Sequence, residues 1–182
     1  MSARSDKAKL DSARRPRSVR SPMSPAPGRK YCPTAWTRPL QVATAVCSLV
    51  CAAGTLLQNL LILDVDLVRL ALESARGSTS DAPGFLTGLR TAGWFFLAGN
   101  AVGLLALTGK TWVFWAAMLV NAAQAASAVL LPLAVFDASA ELYGRAGLLP
   151  AMLAYGGAAL LALVLFDSFA VFRTPWAQRP QS

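Results

Sequence analysis

Four long stretches of this 182-residue chain carry no charged side chain: Pro39–Leu63, Thr91–Gly109, Thr111–Phe136 and Ala146–Phe166. A helix rises ~1.5 Å per residue, so about 20 apolar residues match the ~30 Å hydrocarbon core of a bilayer. The pattern predicts four membrane-crossing helices, over about 39–63, 91–109, 111–132 and 149–172. The fold class it implies is all-α, a membrane-embedded four-helix bundle.

The connections differ in kind. After the first stretch, Leu63, Leu67, Leu70 and Leu72 alternate with Asp64, Asp66, Arg69 and Glu73, which suits an amphipathic continuation of the helix along an interface. Gly77 to Gly84, rich in Gly, Ser and Pro, breaks it. Gly109-Lys110 is the whole link between the second and third spans, so these must be adjacent and antiparallel. Pro132 lacks a backbone N–H and ends or kinks the third span, and 137–145 reads as a short loop. Pro150 suits the first turn of the fourth span, where a missing N–H costs nothing.

Composition adds polarity to this picture. The chain is 55% hydrophobic, with a mean hydropathy of +0.47, too apolar for an ordinary soluble domain. Ten of its 17 Lys/Arg lie in residues 1–38, a Ser/Pro/Arg-rich segment that reads as a disordered basic tail; 173–182 reads as a second, short tail. Thirteen Lys/Arg fall on the side of the termini and four on the other, which predicts that both termini are cytoplasmic. Trp36, Trp112, Trp115 and Trp176 would then mark the inner interface and Trp94 the outer one. The first stretch is too long for a secretory leader and reads as a retained span in a cell-membrane protein. A basic excess confined to a tail beside a membrane points to anionic lipid headgroups and away from nucleic acid.

Candidate chemistry is sparse. There is no His, and no nucleotide-binding, hydrolase or metalloprotease motif, so no catalytic residue, cofactor or metal ligand is expected. The intramembrane polar residues are Asn100, Asn121 and Gln124, with Gln58 and Asn59 near the outer end of the first span. Asn100 and Asn121 lie equally far from the Gly109-Lys110 turn, so an Asn–Asn bond at the midplane is expected to join the hairpin; a transport path is the alternative. Gly99 and Gly103 are four apart and permit close helix packing, within the chain or in an oligomer. Cys47 and Cys51 fall on a small, weakly polar stripe with Thr44, Ser48 and Thr55 that should face the bundle. A thiol redox site there is disfavoured, because an apolar setting opposes the thiolate and an i,i+4 pair has poor disulfide geometry. Asp167, near the inner interface, is expected to pair with Lys110 or Arg38.

Arg38-Pro39-Leu40-Gln41-Val42, the run Leu104 to Trp112 across the inner turn, and a Gln-containing third span ending Leu130-Leu131-Pro132 carry a resemblance. Over residues 36–172 the chain resembles the small four-span integral membrane proteins of high-GC actinobacteria. It departs from them in having a lone Lys110 where several Arg are usual, and in its longer tail. The resemblance implies location and topology and no activity. The functional expectation is a non-enzymatic membrane protein, an accessory or scaffold subunit with a membrane-protein partner or as a homo-oligomer. A transporter or channel subunit is the alternative, and a thiol oxidoreductase a remote one.

Overall fold

The structure, a computed structural model, describes residues 31–180. The expected disorder of the basic tail therefore lies outside the described residues up to position 30. Apart from a two-residue strand pair, β1 (Tyr31–Cys32) with β2 (Arg179–Pro180), the described chain is helical. Four helices are long and apolar enough to cross a membrane: Thr37–Ile62, Thr79–Thr108, Thr111–Leu130 and Arg145–Phe172, with mean hydropathy 1.4 to 2.1. Between 22% and 39% of each most apolar window is buried, so most of that apolar surface faces outward. A water-soluble bundle would do the reverse.

The first span is α1 (Thr37–Leu57), which continues through a π-wound turn, Gln58–Ile62. Leu63 leaves the helix, and Asp64 starts a separate one, α2 (Val65–Ser74), by accepting the Leu67 N–H at 2.7 Å. The expected interfacial extension is thus a new helix with its own cap. The second span is α3 (Ala82–Gly103) with a 3₁₀ end, Leu104–Thr108; it begins about nine residues earlier than the charge-free stretch, because Arg90 is accommodated inside it. Gly109, at φ +68°, takes the left-handed turn that a side chain would resist, and α4 (Thr111–Leu130) runs back antiparallel.

Pro132 does end α4, but the short loop expected over 137–145 is instead largely a helix, α5 (Leu133–Tyr143). Its buried Val135, Ala138 and Ser139 have helical spacing, and Asp137 and Glu141 lie on the exposed side. Gly144, at φ +67° and ψ −169°, turns the chain into the fourth span. That span comprises α6 (Leu149–Ala151), with Pro150 in its first turn, a π-wound turn Met152–Gly156, and α7 (Gly157–Phe172).

The core has two apolar clusters at opposite ends. At the end away from the termini, α2 and α5 pack together over Leu63, Leu67, Val68, Leu86, Val135 and Ala138 and cap the bundle. At the terminal end, Leu40, Val113, Phe114, Leu161 and Leu165 surround Trp176. Residues 31–38 and 173–180, expected to be tails, are built into this end. The Thr34 hydroxyl donates to the Ala177 carbonyl at 2.6 Å, and the Trp176 indole N–H donates to the Lys110 carbonyl at 3.0 Å. Trp176 is therefore a fully buried plug and not part of an interfacial belt, whereas Trp36, Trp94, Trp112 and Trp115 are exposed.

Candidate functional site

Between the two apolar clusters lies a polar layer. On α1, the Thr55 hydroxyl donates to the Cys51 carbonyl one turn back at 2.8 Å. The same oxygen accepts from the Gln124 amide nitrogen of α4 at 2.9 Å. Gln124 in turn accepts from the Asn100 amide nitrogen of α3 at 2.8 Å. Three spans are thus linked by one chain of hydrogen bonds whose amides are 0% and 1% exposed.

The expected Asn100–Asn121 bond is not the one formed. Asn121 donates to the Ala117 carbonyl of its own helix at 2.8 Å. The 3₁₀ winding of Leu104–Thr108 rises ~2.0 Å per residue where an α-helix rises ~1.5 Å, so five residues carry Asn100 ~2.5 Å further from the turn, toward the level of Gln124. Among the described residues, the Asn100 and Asn121 side-chain oxygens and the Ser48 hydroxyl have no partner.

The glycines serve two different neighbours. A Cβ on Gly99 would stand 2.6 Å from Val120 of α4, and one on Gly103 would stand 2.1 Å from the Ser48 hydroxyl of α1. Both contacts are within the chain. Cys51 is buried against Gly157 of the fourth span, where a Cβ would lie 2.9 Å from its sulfur, and Cys47 is half-buried; both are thiols.

Next to the polar layer, toward the α2–α5 cap, is a cavity of about 360 Å³. Its wall is mostly carbon, with polar groups from Thr55, Gln58, Asn59, Gln124, Ser127 and Tyr155. Two π-wound turns carry half of these. The one at Gln58–Ile62 begins with Gln58 and Asn59, both buried, and the one at Met152–Gly156 carries Tyr155, whose hydroxyl meets Gln58. Such turns add a residue to the helix and re-aim its side chains. Asn59 donates to the Arg90 carbonyl at 3.2 Å, and its amide abuts Gly93, where a Cβ would be 2.2 Å away. The Arg90 guanidinium reaches back to the Leu63 carbonyl at 2.6 Å. Asn100 and Asn121 do not line this cavity.

The expected pairing of Asp167 with Lys110 or Arg38 is not formed. Among the described residues the ion pair is Asp66–Arg69, on the surface of α2. Arg38 donates instead to the Leu107 carbonyl at 3.4 Å, while exposed Asp167 faces a groove between the first and fourth spans with Trp36, Leu40, Ala43 and Phe172.

At the cap, the Tyr143 hydroxyl donates to the Asp64 carboxylate, joining α5 to α2. Burial pushes the Asp64 carboxyl upward, but bonds from the Leu67 N–H, the Tyr143 hydroxyl and the Asp66 N–H, with the Arg90 charge, outweigh it and hold it below its ordinary value. The bond to Asp64 pushes the Tyr143 phenol up to about 12.

Thr55, Ser127 and Tyr155 were not singled out for chemistry by the sequence. Thr55 showed only as part of a small-residue stripe, and Tyr155 as an isolated hydroxyl in an apolar run. Comparison with protein-family models, curated proteins and solved structures gives no match.

Proposed function

We propose that this chain is a non-enzymatic multi-pass protein of the cell membrane, with both termini on the cytoplasmic side, acting as an accessory or scaffold subunit. The outward apolar surface and the basic excess at the terminal side support the location and orientation. The observation that carries the subunit role is Asp167. It lies five residues before the end of α7, about 7.5 Å along the helix, on an apolar groove and without an ionic partner in the described fold. A carboxylate inside a membrane calls for a counter-charge, and a Lys or Arg on a partner helix supplies one. The basic segment 1–30 would add attraction to anionic headgroups, about 1 kcal/mol per residue near the surface.

The test is the mass of the complex in mild detergent for the full chain and for Asp167→Asn. The proposal expects a hetero- or homo-oligomer that the substitution dissociates. A monomer for both proteins, or an assembly indifferent to Asp167, overturns it. A second reading, a transport or channel subunit, draws on the cavity beside Gln124.

A further inference from the structure

We infer that the cavity beside the polar layer is a binding site for an uncharged single-chain amphiphile, its carbonyl or hydroxyl end held by Gln58, Asn59 and Tyr155. The inference rests on the membrane location proposed above and is independent of the accessory role.

Size is the first argument. About 360 Å³ falls at the lower end of the ~300–1,000 Å³ typical of small-molecule sites. Position is the second. The wall residues on the first span are buried, whereas Phe85 and Ala92 on the second, Leu130 at the end of the third and Pro132 beyond it are exposed. The cavity therefore opens sideways, between the second and third spans, onto surface that meets lipid tails. Its top is closed by Leu63 and Val135 of the capping cluster, so the route from the bilayer is lateral.

The chemistry of the wall sets the class of ligand. Among the described residues no Asp, Glu, Lys or Arg lines the cavity. An ion taken into such a space without a partner is heavily penalised, so the ligand is neutral. Yet the wall is not inert. A side-chain amide has two donor hydrogens and two acceptor sites. Among the described residues Asn59 uses one donor, toward Arg90. Gln58 and Tyr155 meet each other at the cavity surface and can turn toward a third group. Placement is the third argument: Gln58 and Asn59 extend the buried face of α1, one turn beyond the buried pair Gly54–Thr55, and Tyr155 meets Gln58 from the fourth span. A hydrocarbon alone would leave these amides unmatched, and a chain with one carbonyl or hydroxyl matches them.

The experiment uses the full chain purified in a maltoside detergent, with 1-monooleoylglycerol as the probe and oleate, its charged counterpart of equal chain length, as the comparison. Retention is read by native mass spectrometry and by the probe-dependent rise in unfolding temperature. We expect saturable monooleoylglycerol binding at least tenfold tighter than oleate. Ala92→Trp, at the exposed mouth, should abolish it. Tyr155→Phe, which keeps the ring and removes only the hydroxyl, should weaken it about two- to tenfold, the range of one hydrogen bond, and keeps the inference open to refutation should Ala92→Trp misfold. Equal retention of the two probes, no saturable binding, or binding unchanged in both variants overturns the inference. Failure of the membrane location itself would read differently, as a chain that stays monodisperse without detergent.

Discussion

Replacing Gln124 with Leu keeps the side chain's bulk and removes both of its bonds. The Asn100 amide loses its acceptor and the Thr55 hydroxyl loses one donor, while Thr55 keeps its bond to Cys51. Interhelical hydrogen bonds inside membranes are worth about 0.6 kcal/mol on average and about 1.7 at most, so two bonds account for about 1–3 kcal/mol. Asn100 would then hold an orphaned nitrogen beside an already unpartnered oxygen, a further ~1–3 kcal/mol. The sum is a destabilisation of about 2–6 kcal/mol. Asn100→Leu removes one bond and the orphaned Asn100 oxygen but leaves the Gln124 oxygen without its donor, so it should cost less. The decisive quantity is the coupling: Gln124→Leu should cost about 1–3 kcal/mol less when Asn100 is already Leu. Reversible unfolding of all four proteins in mixed micelles, titrated with dodecyl sulfate and followed by circular dichroism, measures it. If Gln124→Leu costs the same in both backgrounds to within about 0.5 kcal/mol, the ordinary spread for independent sites, the polar layer does not act as a unit.

Trp176→Ala should destabilise by about 3–5 kcal/mol, the cost of emptying a fully buried aromatic site, and Trp176→Phe should recover most of it while losing the bond to Lys110; the same unfolding titration reads both. Gly54→Ala should cost about 1–3 kcal/mol, because its Cβ would meet the Ala154 nitrogen and Pro150 carbonyl at 2.8 and 2.9 Å, whereas Gly84→Ala, with nothing within 4 Å, should be neutral or stabilising. Capping of α2 against α5 should depend on pH in two windows. The lowered Asp64 carboxyl contributes stability that is present above the ordinary carboxylate range and is lost as pH falls through its depressed value. The raised Tyr143 phenol contributes stability that is present below its ordinary value and is lost as pH rises toward about 12. Hydrogen exchange of the α2 amides should follow both limits, and Tyr143→Phe should remove the alkaline one.

Legibility in the sequence followed the kind of force involved. The four spans, the Gly109-Lys110 turn and the stop at Pro132 come from charge-free length, turn chemistry and a missing N–H, all of which are local. The helix α5 was hidden because Asp137 and Glu141 read as loop residues, although Val135, Ala138 and Ser139 already carried its period. Trp176 looked interfacial because its place is set by the left-handed backbone at Trp176 and Ala177 and by a carbonyl 66 positions away. Asn100, Asn121, Gln124, Gln58 and Asn59 were visible as polar residues in apolar runs. Their pairing was not, because Asn100 meets Gln124 only once a 3₁₀ end shifts one helix along the other. Part of the cavity wall comes from two π-wound turns that no residue pattern announces.

The arrangement of the layers follows from the solvent proposed for it. With lipid outside, burying Leu against Leu gains little, because hydrocarbon surrounds the side chain in either place. Register along the helices must then come from contacts that lipid cannot imitate. The structure has three kinds, each at a different depth. At one end the Trp176 plug and the Thr34–Ala177 bond hold the two ends of the described residues together. At the other, α2 and α5 clamp through Asp64 and Tyr143. In the middle, Asn100, Gln124 and Thr55 fix three spans at one level, and Gly99 and Gly103 let them approach. Clamping the two ends and one intermediate layer leaves the segment between the polar layer and the cap unconstrained by direct bonds across α3 and α4. That segment is where the cavity lies. The same distribution of polar contacts that aligns the spans therefore leaves room for a ligand between them.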